Sequence, residues 1–440
     1  MREETVTIDK LAFGGSGVGR IRGKVCFVPY SAPGDILRVI ITGEKSSYMI
    51  GSIKEIESPS LERVKPACPH FGICGGCDWQ HVNYQAQLNA KRDILFNSLS
   101  RVGVLPEEGI DETLPSPSEY NYRSRAQFKL HFRQRKLKTG FFRTKTHLVE
   151  DIPDGCPVVA MPLNSALYSL RKVIQQFHDP AGLSQFDIYS ADNGVAAVLH
   201  YDGKDTEGAI SWLKEQQSGL SALNGLFLKN LADVRARHLF GISRLEYSMP
   251  VSGVQPSIPL FYTPGGFSQV NMPQNRGIME LVRKFVLPDK KRKIIDLFCG
   301  NGNFSLPLAG EVASITGIEA SSDSIEAAKE NSRVNGIGNA VFLCLYAAAG
   351  LRRLATEGAK FDTVILDPPR RGASDMIQAI LDTGAEKIVY ISCDPMTLGR
   401  DCALLSSKGY RVKHSVPVDM FPQTYHTESV TLLERSRQKE

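Results

Sequence analysis

The sequence predicts an α/β protein with a parallel-sheet C-terminal domain, a small N-terminal β-barrel and a central mixed α+β domain. Apolar strand-like runs alternate with helical spacing from Phe267 onward, whereas residues 5–56 consist of short strands separated by glycines. Between them, residues 119–265 contain several further strand-like runs. A chain of 440 residues with 42% hydrophobic residues can bury the cores of two or three domains. We expect these domains at residues 1–58, 59–265 and 266–440.

The N-terminal residues have the pattern of a small barrel. Apolar and polar positions alternate in Lys24–Val28 and Asp35–Thr42, and Phe13–Arg20 contains four glycines that permit tight turns. Small barrels of this kind include OB-like folds, which bind oligonucleotides. A barrel without any RNA contact has the same pattern, so the residues by themselves predict the fold and leave RNA binding open.

Four of the nine cysteines have the spacing of a metal or cluster site. Cys68, Cys74 and Cys77 are separated by five and two residues in a glycine-rich stretch, and Cys156 is followed by Pro157. Four thiolates hold either a 4Fe–4S cluster or zinc, and a cysteine before proline is found among cluster ligands. The gap of five residues is wide for zinc, which favours the cluster. The thiols expected to pack as small buried hydrophobes are Cys26, Cys299, Cys344 and Cys402.

A basic run follows a helix predicted at Tyr84–Val102. Residues 121–145 contain nine Lys or Arg and no Asp or Glu. Within the run, Ala126, Phe128, Leu130 and Phe132 alternate with Gln127, Lys129, His131 and Arg133. This alternation predicts a strand with one buried and one basic face. A row of cations on a rigid face suits the phosphates of a nucleic acid, and an ordinary solvated face is the alternative.

A glycine loop follows the first predicted strand of the C-terminal domain. That strand leads into Asp296, and Gly300 and Gly302 permit a sharp turn before a helix-like stretch. The next predicted strand ends at Glu319, about 20 residues later, where a carboxylate accepts hydrogen bonds from ribose hydroxyls. The third glycine of the dinucleotide-binding pattern is absent, which favours a nucleoside cofactor without phosphates, such as S-adenosylmethionine. The domain is therefore expected to be Rossmann-like, with an ordinary strand–turn–helix as the alternative.

Two further strand ends carry reactive side chains. Asp367 follows the apolar run Val364–Leu366 and precedes two prolines, and Cys393 follows the run Lys387–Ile391. Ligands of open α/β sheets bind at the carboxyl ends of the strands. A thiol, a carboxylate and a cofactor loop at one such edge predict covalent catalysis, with Cys393 as nucleophile and Asp367 placed to serve the cofactor.

Five motifs of the C-terminal domain resemble the RNA uracil-5-methyltransferase family, and within it the 23S ribosomal RNA type. The motifs occur in the order found in the family. They are Phe267–Asn271, Asp296–Phe304, Asp367–Gly372, Ser392–Leu398 and Asp419–Glu428.

The resemblance implies roles for individual residues. It makes Cys393 the nucleophile and Glu428 the general base. It makes Gln269 and Asn303 contacts of S-adenosylmethionine, beside Phe298, Glu319 and Asp367. It also implies an N-terminal TRAM module, which is an OB-like RNA-binding fold, and a 4Fe–4S cluster on Cys68, Cys74, Cys77 and Cys156.

The expected function is S-adenosylmethionine-dependent methylation of carbon 5 of a uridine in 23S ribosomal RNA, through a covalent cysteine–uracil adduct. One alternative is the same reaction on the T-loop of transfer RNA. Another is an RNA-binding iron–sulfur regulator whose methyltransferase domain is inert. An amino-group methyltransferase is disfavoured, because Arg370 follows the two prolines where such enzymes have an aromatic residue, and because Cys393 would have no use there.

Composition sets the remaining expectations. A net charge of +5 does not by itself indicate a nucleic-acid partner, so the distribution of charge matters more. No apolar signal region is visible at the N-terminus, and the apolar stretch Ala340–Leu351 is short against the roughly 20 residues that span a bilayer. We expect a cytoplasmic protein without disulfides that has RNA as its partner, no membrane contact and no obligate protein partner.

Overall fold

Five N-terminal strands close into a barrel in the computed structural model, which describes residues 2–134, 136–252 and 257–436. The strands are β1 (Glu3–Leu11), β2 (Gly17–Ile21), β3 (Lys24–Val28), β4 (Ile36–Glu44) and β5 (Tyr48–Ser58). Their order around the barrel is β1-β2-β3-β5-β4, and β3 and β5 are parallel. A Cβ at Gly19 would lie 2.1 Å from the Thr7 carbonyl oxygen, so glycine permits the close approach of β2 to β1. The predicted small barrel is confirmed.

Helix α1 (Tyr84–Ser100) follows the barrel, as the spacing predicts. The Asn83 side chain caps its N-terminus by accepting a hydrogen bond from the backbone N–H of Ala86 at 2.9 Å. Two polar side chains of this helix, Gln87 and Lys91, have no exposed surface. A buried amide or ammonium group requires partners. Lys91 bonds to Asp419 and Phe421 of the C-terminal domain, and Gln87 bonds to Gln423 of that domain as well as to carbonyls just before α1.

A seven-stranded sheet forms the middle of the chain and is covered by helices α2 (Met161–Ile174) and α3 (Thr206–Glu215). Its strands are β6 (Arg125–Arg133), β7 (Lys136–Phe142), β8 (Val149–Asp151), β9 (Leu183–Ala191), β10 (Gly194–Tyr201), β11 (Gly225–Lys229) and β12 (Arg237–Gly241). The strand order is β12-β11-β10-β9-β6-β7-β8, and β10 and β11 are parallel whereas the other neighbours are antiparallel. The predicted mixed α+β architecture is confirmed.

Strand β6 has the predicted alternation. Ala126, Phe128 and Leu130 are buried in the core beneath α2. The opposite face presents Gln127, Lys129, His131 and Arg133, of which all but Lys129 are exposed. The structure therefore has the predicted basic face on β6. Arg135, which belongs to the same basic run, lies outside the described residues.

Two antiparallel strands, β13 (Leu245–Pro250) and β14 (Ser257–Tyr262), precede the C-terminal sheet. That sheet contains β15 (Lys293–Leu297), β16 (Ser314–Glu319), β17 (Ala340–Cys344), β18 (Thr363–Leu366), β19 (Lys387–Ser392), β20 (Tyr410–Val418) and β21 (Glu428–Arg435). Its order is β17-β16-β15-β18-β19-β21-β20, and β21 runs antiparallel to both of its neighbours. This is the predicted Rossmann-like arrangement with one reversed strand.

Helices cover both faces of the C-terminal sheet. They are α4 (Met272–Val286), α5 (Ser305–Ala309), α6 (Ser322–Val334), α7 (Ala347–Thr356), α8 (Ile377–Asp382) and α9 (Pro395–Ser406). Successive strand residues point to opposite faces, so Ile365 packs in one core with α4 and α6, whereas Val364 and Leu366 pack in the other with α7, α8 and α9. Within the described residues, no helix is both long and apolar enough to cross a bilayer.

Two elements from outside the C-terminal motifs share these cores. Leu95 and Leu99 of α1 pack with α9. Tyr247 lies on β13, which packs with α4, and Leu260 lies on β14, which packs with α6. Residues 84–100 and 245–262 therefore support the C-terminal sheet, although the sequence places them in the central region. The predicted domain boundaries remain predictions.

The prediction of buried thiols is wrong at one position. Cys26, Cys299 and Cys402 are buried as expected, whereas Cys344 is exposed. It is the last residue of β17, which is an edge strand of the sheet, and its Sγ lies 3.6 Å from the carbonyl oxygen of Ala320. An edge strand has no neighbour to cover its outer side, which the local apolar pattern does not reveal.

Candidate active site

The carboxyl ends of the parallel strands meet at one edge of the C-terminal sheet. Leu297, at the end of β15, is in register with Ile318 of β16 and Leu366 of β18, and Leu366 is in register with Tyr390 of β19. The residues that follow these strands therefore lie side by side, as expected for ligand sites of such sheets. They include Phe298, Glu319, Asp367 and Cys393.

The reversed strand β21 brings its first residue to the same edge. Ser429 pairs with Ser392 of β19, so Glu428 and Cys393 occupy the next position of the antiparallel register. Glu428 also pairs with Val418 at the end of β20. The nine residues Asp419–Thr427 connect β20 to β21 and lead directly into Glu428.

These side chains line one cavity of about 750 Å³. Six of the seven residues predicted as catalytic or cofactor contacts are among its walls: Gln269, Phe298, Glu319, Asp367, Cys393 and Glu428. The structure thus brings together residues that lie up to 159 positions apart in the sequence. A cavity of this size accommodates a drug-sized ligand.

Asn303 is the seventh predicted residue, and it is not among those that line the cavity. Its side-chain Oδ1 accepts hydrogen bonds from the Tyr247 hydroxyl at 3.1 Å and from the Asn275 amide at 2.9 Å, and its Nδ2 donates to Asn275 Oδ1 at 3.0 Å. The amide therefore ties the glycine loop to β13 and α4. Its position favours a role in shaping the loop.

The glycine loop makes the sharp turn that its sequence predicts. Gly300 and Gly302 have φ angles of 55° and 90°, and Phe298 also has a positive φ of 64°. A non-glycine residue in this region is strained, so the loop holds the Phe298 side chain at the cavity wall at a conformational cost. Burial raises the pKa of Asp296, beneath the loop, to about 7, although the Ser305 hydroxyl donates to its carboxylate.

The buried surroundings of Cys393 disfavour its thiolate form. Burial raises the pKa of this thiol to about 12, and the negative charges of Glu428 and Asp367 add to the shift, whereas Arg370 opposes it. The thiol immediately precedes Asp394, which caps the N-terminus of α9 through hydrogen bonds from Met396 and Thr397. The partial positive charge at the N-terminus of α9 favours the thiolate, as Arg370 does.

Two carboxyl groups that line the cavity, Glu428 and Asp367, are stronger bases than ordinary carboxylates. Burial raises the pKa of Glu428 to about 8, with Asp367 adding to the shift and Arg370 opposing it. Burial also raises the pKa of Asp367 to about 7. A general base is most effective when its pKa lies near the working pH, so both groups are suited to accept a proton near neutrality.

Two cavity residues carry no role in the sequence-based prediction. Arg370 follows the two prolines after Asp367, and His426 lies two residues before Glu428. Burial lowers the pKa of His426 to about 4, with Arg370, Lys91 and Arg123 adding to the shift, so its imidazole is neutral. Both residues lie inside motifs that resemble the family, Asp367–Gly372 and Asp419–Glu428, so the sequence offered a reason to consider them as site residues.

The four predicted ligand cysteines lie near enough for their charges to affect one another's pKa values, and the turn that carries Cys74 lies at the end of β7. The turn that carries Cys74 bridges to Arg143, and the N–H of Gly75 donates to the Phe142 carbonyl at 3.0 Å, beside β7. Burial raises the pKa of Cys74 to about 11 and that of Cys77 to about 12, and the charge of Cys156 adds to both shifts. Cys68 raises the pKa values of Cys74 and Cys156 through its charge. Within the described residues, no group of three or more His, Cys, Asp or Glu side chains is arranged to hold a metal ion.

The basic face of the central sheet leads to the cavity. At the start of β6, the Ser124 N–H donates to the Val270 carbonyl at 2.7 Å, and Arg125 Nη1 donates to the Gly266 carbonyl at 3.3 Å. Val270 and Gly266 both line the cavity. A strand of nine residues spans about 27 Å at roughly 3.3 Å per residue, so the row of cations extends away from the cavity by several nucleotide lengths.

Comparisons with known proteins identify two families. The model described as tRNA (Uracil-5-)-methyltransferase matches residues 83–436, and the TRAM domain model matches residues 2–54. The second match agrees with the barrel of strands β1 to β5.

Two curated relatives match nearly the whole chain. The 23S rRNA (uracil(1939)-C(5))-methyltransferase RlmD of Vibrio vulnificus strain YJ016 is 32% identical over 445 residues, covering 99% of this chain and 97% of the relative. The protein of the same name from Mannheimia succiniciproducens is 34% identical over 441 residues, covering 99% and 96%.

A solved structure shares the fold over the whole chain. It is the tRNA (uracil-54, C5)-methyltransferase of Pyrococcus abyssi in complex with S-adenosyl-L-homocysteine, which is 24% identical with a TM-score of 0.73 and coverage of 98% of this chain and 100% of that chain. Together with the family match over residues 83–436, these likenesses show that the chain belongs to the tRNA (uracil-5-)-methyltransferase family.

Proposed function

We propose that the protein methylates carbon 5 of a uridine in 23S ribosomal RNA, with S-adenosylmethionine as the methyl donor and Cys393 as a covalent nucleophile. The observation that carries the reaction is the convergence of Cys393, Glu428 and Asp367 on one cavity at the edge of the sheet. The ribosomal target is supported by relatives that are 32–34% identical over nearly the whole chain. The likeness to the transfer RNA enzyme is one of fold.

The walls of the cavity fit the methyl donor. Glu319, at the end of β16, presents a carboxylate to ribose hydroxyls, and the Phe298 ring provides an apolar surface for a purine. Asp367, which follows β18 on the other side of β15 from Glu319, and Gln269 provide further polar groups. S-adenosylmethionine, when bound here, supplies an electrophilic methyl group. Asn303 acts through the loop that carries Phe298.

The residues of this chain perform the remaining chemistry. The Cys393 thiol first gives up its proton to water, and the resulting thiolate forms a bond to carbon 6 of uracil while the C5–C6 π pair shifts toward C4 and the negative charge develops on O4. This electron density makes carbon 5 the nucleophile for the methyl group. The Glu428 carboxylate then removes the carbon-5 proton, and the C–H pair re-forms the C5–C6 double bond while the C6–S bond breaks and thiolate leaves.

The cysteine set fits an iron–sulfur cluster. Burial of four neighbouring thiols is costly if they ionise, and a cationic cluster removes that cost by neutralising the thiolates. Arg123 contributes positive charge that lowers the pKa values of Cys77 and Cys156, and its Nε is buried without a hydrogen-bond partner. Cys68, Cys74, Cys77 and Cys156 would hold the cluster, and zinc, which also takes four cysteines, is the alternative. Iron and sulfide analysis of protein purified without air tests this assignment, and stoichiometric zinc without iron would replace it.

The RNA target can be tested directly. Purified protein is incubated with labelled S-adenosylmethionine and either 23S ribosomal RNA or transfer RNA transcripts, and the nucleosides are analysed after digestion. We expect 5-methyluridine in the ribosomal RNA. Methylation of transfer RNA alone would favour the T-loop alternative. Binding of both RNAs without methylation would favour the inert regulator.

We infer that the basic face of β6 and β7 holds the RNA that surrounds the target uridine. Its exposed cations include Arg133 and Lys138, which lie on neighbouring strands. We expect the double substitution Arg133→Ala with Lys138→Ala to weaken RNA binding and to lower the salt slope by about 1.4, at about 0.7 per phosphate contact. S-adenosylmethionine binding should be unchanged.

A matched pair of cations provides the control. Arg352→Ala with Lys408→Ala removes the same charge from exposed positions of the C-terminal domain. RNA affinity is measured by titration at several salt concentrations for both double variants. Equal salt slopes in the two variants would assign the β6–β7 face to an ordinary solvated surface.

A further inference from the structure

The segment Asp419–Thr427 determines where Glu428 stands, yet it contains no regular secondary structure. At its centre, Gln423 has a φ angle of 69°, a conformation that a residue with a side chain adopts only under external restraint. Phe421 and His426 of the same segment line the cavity, whereas Gln423 is buried behind it. Contacts outside the cavity must therefore hold the segment in place.

Gln87 of α1 makes the most extensive of these contacts. Its Oε1 accepts a hydrogen bond from the Gln423 N–H at 3.0 Å, and its Nε2 lies 3.0 Å from Gln423 Oε1. The same Nε2 group also faces the carbonyls of Val82 at 2.9 Å and Trp79 at 3.2 Å. Gln87 is fully buried and does not line the cavity.

The turn after the cysteine set binds the same residue. The Gln423 carbonyl accepts hydrogen bonds from the N–H groups of Asp78 at 2.9 Å and Trp79 at 3.0 Å, immediately after Cys77. Four positions before Gln423, Asp419 forms a buried ion pair with Lys91, one helical turn from Gln87. Helix α1 and the Cys77 turn therefore clamp the segment from the side opposite the cavity.

We propose that Gln87 is a positioning residue that fixes Gln423, and through it the segment Asp419–Thr427, so that Glu428 can reach the carbon-5 proton. The inference rests on the proposed function. Gln423 lies five residues before Glu428, and the segment ends where the β21 ladder begins, so its path determines how the strand enters the cavity. The Cys393 sulfur is carried by β19 and α9, which Gln87 does not touch.

This separation predicts an effect on one step of the reaction. Attack by Cys393 and methyl transfer do not require Glu428, whereas breaking the C5–H bond does. If Glu428 is displaced, the proton stays on carbon 5, the electron pair for the C5–C6 double bond is not released, and the C6–S bond persists. A methylated covalent adduct then accumulates.

Gln87→Leu removes the hydrogen bonds made by the Gln87 side chain, with little change in side-chain volume or helix propensity. We expect turnover to fall by up to about a hundredfold, as for a catalytic group misplaced by about 1 Å. We also expect a methylated, denaturation-resistant protein–RNA adduct that converts slowly to product, with unchanged affinity for S-adenosylmethionine. Ser98→Ala is the matched control, because Ser98 is a buried polar residue of α1 whose hydroxyl donates to the Ile94 carbonyl at 2.9 Å and lies 3.4 Å from Met396 Sδ, away from the segment Asp419–Thr427. It should show normal turnover and no adduct.

A second variant covers the case in which Gln87→Leu does not fold. Gln423→Gly is free to adopt the positive φ without strain but lacks the side-chain acceptor for Gln87. It should fold, lose part of the turnover and accumulate a smaller amount of adduct.

The proposal is overturned if these variants lose turnover without any adduct, since a general loss of structure slows every step together. Wild-type turnover in Gln87→Leu would overturn it equally. If the covalent mechanism itself is wrong, the Glu428→Gln enzyme should form no adduct. If only the role of Gln87 is wrong, the Glu428→Gln enzyme should still form its adduct.

Discussion

Replacing Cys393 with alanine is expected to abolish uridine methylation together with any covalent protein–RNA complex. Carbon 5 of uracil is a poor nucleophile until a thiolate adds to carbon 6, so no later step can occur without the sulfur. By comparison with removal of the nucleophile in other covalent enzymes, the loss should be on the order of a millionfold. Transfer of labelled methyl groups to RNA measures it.

Cys402→Ala is the matched control for this experiment. Cys402 is a fully buried thiol of α9, the helix that follows Cys393, and it does not line the cavity. Its variant should retain methylation and adduct formation. Full activity of Cys393→Ala would show that the reaction does not proceed through this thiol.

Replacing Glu428 with glutamine is expected to trap the reaction after methyl transfer. Glutamine has nearly the same shape but does not accept the carbon-5 proton, so elimination stops while addition and methylation continue. Turnover should fall by about 10²–10⁴-fold, the usual contribution of a general base. A methylated adduct that resists denaturation and requires S-adenosylmethionine should appear on a gel.

Glu434→Gln on the same strand provides the control. Glu434 lies at the far end of β21, where its carboxylate is 3.8 Å from Lys387, and it does not line the cavity. It should turn over normally without an adduct. If Glu428→Gln behaves in the same way, the base is another carboxylate, and Asp367 is the next to test because it lines the same cavity.

The pH dependence follows from the environment of the same carboxyl group. Burial, supported by Asp367 and opposed by Arg370, raises the pKa of Glu428 to about 8. A general base acts in its ionised form, and Glu428 acts after the irreversible methyl transfer, so kcat should rise with pH through about 8 in the wild-type enzyme. The rising limb that belongs to Glu428 should be absent from the profile of Glu428→Gln. A rising limb unchanged by the substitution would assign it to another group.

Much of the fold follows from local sequence patterns. Strand β3 has the bounds that its alternation predicts, and β6 presents the predicted basic face. The positions of Asp367 and Cys393 after apolar runs were sufficient to place both at a strand end. Strand ends are local features, and in a parallel sheet they converge on one edge whatever the rest of the chain does.

Other parts of the site depend on contacts between distant residues. The sequence assigns Glu428 a role only through resemblance, because its approach to Cys393 requires β21 to insert between β19 and β20 in the reverse direction. No local pattern encodes which strands pair. The same holds for Asn303, whose amide is taken up by Tyr247 and Asn275 instead of facing the cavity.

The sequence by itself determined the order of the elements, the reactive side chains at the strand ends and the spacing of the cysteines. Only the tertiary structure decided that Gln87 and Lys91 are buried and that they clamp the segment before Glu428. Their partners, Gln423 and Asp419, lie 336 and 328 residues away. Polar residues on a helix ordinarily face water, and only the completed fold supplies the hydrogen bonds that make their burial favourable.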